Sequence, residues 1–278
     1  MTEPLQYRLP WQSTSIYPGA HPGRMVGAGQ LFNRHEPLIA SPDPRRIDLR
    51  ASVLDPFGGY RVRVFLQQST VNVYLIADLS ASMGAGNKPG IVQNLLLDLA
   101  DAVAGYGDKL GFIGCSQNIE PRWRLNAGRQ HQAVIQIAQQ LQTHQFNGLA
   151  TALSEAAVYL PERRSLVFLF TDCHFPKLQL EMLLRTLQNH DVVPLLPSDL
   201  QHYLRLPDWG MVTFKDMESR TTRTLLMRPA LKQKIIAAHQ QRQRELTHCF
   251  RAFGMEPLFI EEAYSSQQIN QYFRQRAA

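Results

Sequence analysis

Polar and apolar residues alternate in YRVRVFL, Tyr60 to Leu66, the period of two expected of a strand with one covered face. VNVYLIAD, Val71 to Asp78, is almost wholly apolar and predicts a central strand covered on both faces, ending on a carboxylate. After a polar turn the period changes. Asn87 can cap, and Pro89 can occupy the first turn of, a helix with Ile91, Leu95, Leu99 and Val103 along one side. KLGFIGC, from Lys109, predicts another strand, and NIEPRWRL can return beside it as an antiparallel edge. Helical patterns follow over Gln130 to Gln142 and Thr151 to Leu160. SLVFLFTD, Ser165 to Asp172, is a second buried strand that ends on an aspartate. A helix over Leu178 to Gln188 leads to the short strand DVVPLL, then GMVTFKDM and TTRTLLM form a candidate hairpin. Pro229 opens a long helix with Leu231, Ile235, Ala238, Leu246, Cys249 and Phe253 on its apolar face, and PLFIEE and a last helix finish the pattern.

Strands that alternate with helices of this length predict βαβ units, hence a doubly wound α/β fold with a mostly parallel sheet and helices on both faces. Residues 1 to about 59 are punctuated by proline and glycine, from Pro18, Gly19, Pro22 and Gly23 to Gly58 and Gly59, and predict an irregular arm. The expected organisation is an N-terminal arm with a short strand over 1–70, the α/β domain over 71–200, and a C-terminal hairpin and helix completing the sheet over 201–278. Ligands of such sheets lie beyond the carboxyl ends of the strands, where strand order reverses, and Asp78 and Asp172 would both lie on that edge.

The 278 residues are 44% apolar and 19% charged, figures of a globular chain that fit neither a disordered protein nor a coiled coil. No apolar run approaches the roughly 20 residues that cross a bilayer, and MTEPLQYRLPWQ lacks a basic and an apolar leader region, so the cytoplasm is the expected location. Cys115, Cys173 and Cys249 lie far apart, which suggests neither a disulfide framework nor a thiolate zinc site. The net charge of +6 is modest, but its distribution is uneven. Eight basic residues (Arg220, Arg223, Arg228, Lys232, Lys234, Arg242, Arg244 and Arg251) face a single acid, Glu245, in one stretch. Such a surface suits an acidic partner; a solvated helix face is the competing reading.

The sharpest local feature is Asp78-Leu79-Ser80-Ala81-Ser82-Met83-Gly84. Alternate residues of an extended backbone project to one side, so the Asp78 carboxylate and the Ser80 and Ser82 hydroxyls can converge. Three oxygens facing one point suit a hard cation such as Mg²⁺, which keeps several positions for water or partner groups; Asp172 can supply the second carboxylate, directly or through water.

Asp78-x-Ser80-x-Ser82 at the end of one apolar strand, with Phe170-Thr171-Asp172 at the end of another, resembles the metal-ion-dependent adhesion site of von Willebrand factor A domains. Pro42 to Arg50, PDPRRIDLR, is similar to the segment preceding that domain in a bacterial family of unassigned function whose genes neighbour MoxR-type AAA+ ATPases. GAGQLF near Gly27, LPDWG near Pro207, the helix from Pro229 and FGMEPLFI match the family's pattern in order. Two positions depart from it. Asn147, in FNGL, stands where the family has the threonine of its third metal-site loop, and Leu49 replaces a tryptophan. An asparagine carbonyl can bind Mg²⁺ or Ca²⁺; Thr151 is a second candidate, and Asn147 also reads as a plain turn residue beside Gly148. The resemblance implies a von Willebrand factor A-like domain that binds Mg²⁺ (or Ca²⁺ or Mn²⁺) through Asp78, Ser80, Ser82, Asn147 and Asp172 and is not an enzyme. It further implies a MoxR-type ATPase as partner, and the chain looks like the MxaS-type branch of methanol-oxidation clusters. In that branch the implied role is chaperone-like: assisting metal or cofactor insertion into a client metalloenzyme such as methanol dehydrogenase, gripped through an acidic residue.

Rival readings remain. Asp78, Ser80 and Ser82 also suit a turn and helix cap. Ser80-x-Ser82-x-Gly84 resembles a serine nucleophile elbow built on Ser82 but lacks the first glycine, and His174, His202 and His239 have no assigned role. Cys173 and His174, as strand neighbours, would point to opposite faces and make a poor dyad. Nucleic-acid binding through the basic stretch would show steep salt dependence, but no aromatic cluster interleaves with its arginines.

Overall fold

The computed structural model describes residues 3–27, 29, 31–215, 217, 221–261 and 263–276. The chain divides into two compact units, residues 9–71 with 106–108, and residues 1–8 with 72–105 and 109–278.

The smaller unit holds three antiparallel strands, β1 (Pro18–Gly27), β2 (Leu31–Pro37) and β3 (Arg61–Ser69), in the order β1-β3-β2. A one-turn helix, α1 (Leu49–Val53), joins β2 to β3. The alternation of β3 buries Val62, Val64 and Leu66, as predicted. Where proline and glycine predict an irregular arm, the structure has β1 and β2. A Cβ on Gly19 would stand 2.4 Å from the Thr70 nitrogen, and one on Gly23 2.5 Å from the Gln67 carbonyl oxygen. These glycines admit a neighbouring backbone and accompany register shifts in the β1–β3 ladder. The acids of PDPRRIDLR are caps: Asp43 accepts from the Arg45 N–H, and Asp48 accepts from the Arg50 and Ala51 N–H groups and from Arg63 at 2.7 Å. Ala28 and Gln30 of GAGQLF lie outside the described residues.

The larger unit is built on β4 (Asn72–Asp78), α2 (Lys88–Tyr106), β5 (Lys109–Cys115), β6 (Arg124–Gly128) and α3 (His131–Thr143). It continues through a 3₁₀ helix (Thr151–Tyr159), β7 (Leu166–Phe170), α4 (Lys177–Leu187), β8 (Asp191–Pro197) and α5 (Leu200–Leu204). An antiparallel hairpin, β9 (Gly210–Lys215) and β10 (Thr222–Met227), precedes α6 (Pro229–Ala252), β11 (Leu258–Ile260) and α7 (Ser266–Arg276). The main sheet runs β11-β8-β7-β4-β5-β6, parallel except for β6, which returns antiparallel to β5. This is the expected doubly wound α/β fold. Asp216 and Glu262, within the hairpin and PLFIEE segments, lie outside the described residues.

β4 and β7 are buried along almost their whole length. Val167 and Leu169 join Leu180, Leu183 and Leu187 of α4 and Phe250 of α6 in one core, while Phe168 meets Phe273 of α7 edge-on at 6.1 Å. Each such side chain contributes roughly 1.5–3 kcal/mol by leaving water. Gly111 of β5 lies under the Tyr74 ring, whose hydroxyl accepts from the Ala127 N–H, and a Cβ there would sit 2.4 Å from a ring carbon. Gly111→Ala therefore overpacks the sheet, and thermal denaturation should show a loss of about 1–3 kcal/mol.

Strand order fixes the functional edge. From β4 the chain winds outward through β5 and β6, then returns to start the other half at β7 on β4's opposite side. The switch point is the crevice beyond the ends of β4 and β7, and Asp78 and Asp172 flank it.

Candidate functional site

Asp78 is the last residue of β4, paired in register with Cys115, and is fully buried. Its carboxylate accepts from the Ser80 N–H at 2.9 Å and from the Thr171 hydroxyl at 2.8 Å. The tight turn after the strand, closed by a 3₁₀ helix over Ala81–Gly84, brings the Ser80 and Ser82 hydroxyls 3.2 Å apart. The Ser82 hydroxyl donates to Asp172 at 3.3 Å. Asp78, Ser80, Ser82 and Asp172 thus meet in one cluster joined by hydrogen bonds, with Thr171 spanning the two strand ends. Ser82 is its half-buried member, so the cluster opens to solvent on that side.

Electrostatics separates the two acids. Burial, with the charge of Asp172 added, pushes Asp78 up to about 6. Burial also opposes charge on Asp172, but His174 and Lys88 beside it prevail and hold its carboxyl well below the usual range. The His174 ring nitrogen Nδ1 lies 3.0 Å from Asp172. The ammonium of Lys88, a residue 5% exposed, reaches Asp172 at 3.0 Å and Asp199 at 3.2 Å and donates to the Ser82 carbonyl at 3.3 Å.

The third loop lies differently. Its Gly148 carbonyl accepts from the Ala81 N–H at 3.0 Å, which docks this loop on the serine turn. The Asn147 side chain, however, is exposed and lines a cleft with Arg122, Trp123 and His144. The Thr151 hydroxyl donates to the Gln117 carbonyl. Neither side chain joins the hydrogen-bonded cluster of the four others.

The nucleophile candidates also have defined surroundings. Ser82 is hydrogen-bonded to Asp172, and His174 is held by the same carboxylate, so the acid stands between hydroxyl and imidazole; a serine triad needs the imidazole in the middle. Cys173 turns through a positive φ of 55°. Its thiol is buried, and burial together with two neighbouring carboxylates pushes it well up, away from the reactive thiolate.

Beside Cys173, whose carbonyl accepts from Arg242, a groove of about 480 Å³ runs between the start of α4 and the middle of α6. Phe175, Leu180 and Leu246 supply apolar lining, and Lys177, Arg242 and Arg244 supply positive charge. The rest of the basic stretch is partly used within the chain: Lys232 pairs with Asp208 at 3.0 Å and Arg251 with Glu256 at 2.7 Å. Arg220 lies outside the described residues.

Residues 44–245 match the family model described as "Protein of unknown function DUF58". The chain belongs to this family. Among its relatives are uncharacterized proteins of Mycobacterium tuberculosis and Mycobacterium bovis, each 26% identical over 247 residues, spanning 85% of this chain and 76% of the relative. Solved structures similar to it include the conserved hypothetical protein BatB from Bacteroides thetaiotaomicron, at TM-score 0.42 and 14% identity over 73% of this chain and 99% of that one. The SpRpn10 VWA domain is similar at TM-score 0.40 and 12% identity, over 73% of this chain and 95% of the other.

Sequence reasoning missed Lys88, Thr171, His174 and Asp199 as parts of this cluster. Thr171 and His174 flank Asp172 in the sequence and were the more accessible of the four. Lys88 lies between a cap candidate and a proline, where a lysine normally extends into water, and nothing in the sequence marks Asp199.

Proposed function

We propose that this chain is a non-enzymatic, divalent-cation-dependent protein-binding adaptor. The supporting observation is the cluster at the switch point: the Ser80 and Ser82 hydroxyls bond each other, Ser82 bonds Asp172, and Asp78 accepts from the Ser80 N–H and the Thr171 hydroxyl. The donor set is entirely hard oxygen. Among the described residues no three His, Cys, Asp or Glu side chains gather as a metal-ligating group; an ion here would take hydroxyl and water oxygens beside the two carboxylates, as Mg²⁺ prefers. Burial, with the nearby charge of Asp172, opposes ionisation of Asp78, and a cation beside the two acids would relieve that penalty. The residues therefore fit such an ion, with Asp78, Ser80, Ser82 and Asp172 as its holders; Mg²⁺ bound there would supply an electrophilic point for a partner's carboxylate. Ca²⁺ and Mn²⁺ fit the same donors. The recognised resemblance to the metal-ion-dependent adhesion site supports this use.

The partner we propose is a MoxR-type AAA+ ATPase, with a client metalloenzyme offering the acidic residue. The process is maturation or metal and cofactor insertion in the cytoplasm, with methanol dehydrogenase as the candidate client. The groove beside Cys173, lined by Lys177, Arg242 and Arg244, suits an acidic flank around the gripping residue. Among the described residues no helix is long and apolar enough to cross a membrane.

Affinity purification of the tagged chain from its native host, with Mg²⁺ or with EDTA, tests the proposal. Capture of an ATPase and a metalloenzyme in Mg²⁺, lost in EDTA and in an Asp172→Ala variant that remains folded, is the expected outcome. Equal capture in EDTA contradicts it. Binding that instead recovers nucleic acid and falls steeply with salt supports a phosphate-binding role for α6.

A further inference from the structure

Lys88 is a buried lysine at the edge of the acidic cluster. A lysine at the first turn of a helix ordinarily extends into solvent, where its charge is hydrated at no cost. Here the side chain turns inward and is almost fully buried. The three donors of its ammonium have three acceptors: Asp172 at 3.0 Å, Asp199 at 3.2 Å and the Ser82 carbonyl at 3.3 Å. One acceptor is a carboxylate of the cluster and another is the backbone of a cluster serine. The third, Asp199, belongs to the connection between β8 and α5, and its side chain is 40% exposed.

This geometry gives the ammonium two settings. Asp172 cannot give its charge fully to a divalent ion while Lys88 shares it, and a dication and an ammonium on the same carboxylate repel one another. Asp199 is already within reach, is more exposed, and can keep the ammonium paired after Asp172 is taken. We infer that Lys88 is the resident cation of this site, and that a divalent ion binds by displacing its ammonium from Asp172 onto Asp199. The inference rests on the cation-binding reading above and adds a residue that, beside His174, competes with the ion for Asp172. A consequence is that cation arrival changes the pairing of Asp199. Metal occupancy is then felt at α5, which begins one residue later at Leu200.

The test is Mn²⁺ titration of the full chain by calorimetry and by electron paramagnetic resonance, alongside thermal denaturation in EDTA and in Mg²⁺. Removing the competitor in Lys88→Met should tighten Mn²⁺ binding by about tenfold or more, within the range typical of coupled sites. The same variant leaves Asp172 without its ammonium, so it should melt below wild type in EDTA and recover in Mg²⁺ by a larger shift than wild type shows. Asp199→Asn, at a more exposed position that should not threaten folding, should weaken Mn²⁺ binding in the native-lysine background and do so much less in the Lys88→Met background. Equal Mn²⁺ affinity in wild type and Lys88→Met, or an Asp199→Asn effect of the same size in both backgrounds, overturns the displacement and leaves the cation reading standing. Absence of Mn²⁺ binding in every variant overturns both.

Discussion

Replacing Asp78 with asparagine should stabilise the cation-free protein at neutral pH while sharply weakening its response to Mg²⁺. The carboxylate is fully buried, and burial together with the charge of Asp172 raises it from 3.8 to about 6. The folded-state value lies above the unfolded one, so the native protein takes up a proton as pH falls through about 6, and the ionised form costs stability above that point. A difference of this size corresponds to on the order of 3 kcal/mol at pH 7.5. Asparagine removes the buried charge yet retains hydrogen bonding, because its oxygen can accept from the Ser80 N–H and its amide can donate to the Thr171 hydroxyl in place of the present bond. Wild type should gain stability from this group as pH is lowered from 7 to 5, and the asparagine variant should lack that slope. Urea unfolding at several pH values, with EDTA or Mg²⁺, gives both readings. A variant less stable than wild type in EDTA, or one stabilised by Mg²⁺ as strongly as wild type, contradicts the assignment of Asp78.

Phe168→Ala should produce the largest loss of stability. Phe168 lies in the middle of β7, between β4 and β8, fully buried and edge-on to Phe273 of α7. The packing around it is fixed on three sides by strands and a helix, so the space left by the ring collapses little, and a cost of about 3–5 kcal/mol is expected in urea unfolding. The same strand carries Asp172 two residues past its end, so the variant should also weaken cation binding under conditions where it remains folded. A loss below about 1 kcal/mol would mean that β7 is not the centre of the core.

The reason the two aspartates could be found in the sequence is specific. β4 and β7 are runs of apolar residues long enough to be central strands and short enough not to be helices, and each meets a carboxylate at or just past its end. Alternation with helices made the sheet parallel, and a parallel sheet that winds both ways brings two strand ends together. The convergence of Ser80 and Ser82 on that point was legible from spacing alone. Asn147 and Thr151 were not, because an irregular loop carries no periodicity to say which way a side chain points; the Gly148 carbonyl between them docks on the serine turn, while the exposed Asn147 lines a neighbouring cleft and the Thr151 hydroxyl bonds the Gln117 carbonyl. β1 and β2 of the smaller unit were hidden for the opposite reason. Gly19 and Gly23 read as breaks in the chain, whereas their lack of a side chain is what lets β1 lie against β3. Lys88 was hidden by its own chemistry, since burial of a lysine depends on acids brought from residues 172 and 199 that only the folded chain supplies.

Crystals grown with Mn²⁺, measured at a wavelength where manganese scatters anomalously, would show whether a divalent ion binds at the ends of β4 and β7. One strong peak is expected beside the Ser80 and Ser82 hydroxyls, with Asp78 and Asp172 bound to the ion or to its waters and the Lys88 ammonium resting on Asp199. A map with no peak there, and Lys88 still shared between Asp172 and Asp199, would contradict the cation-binding reading.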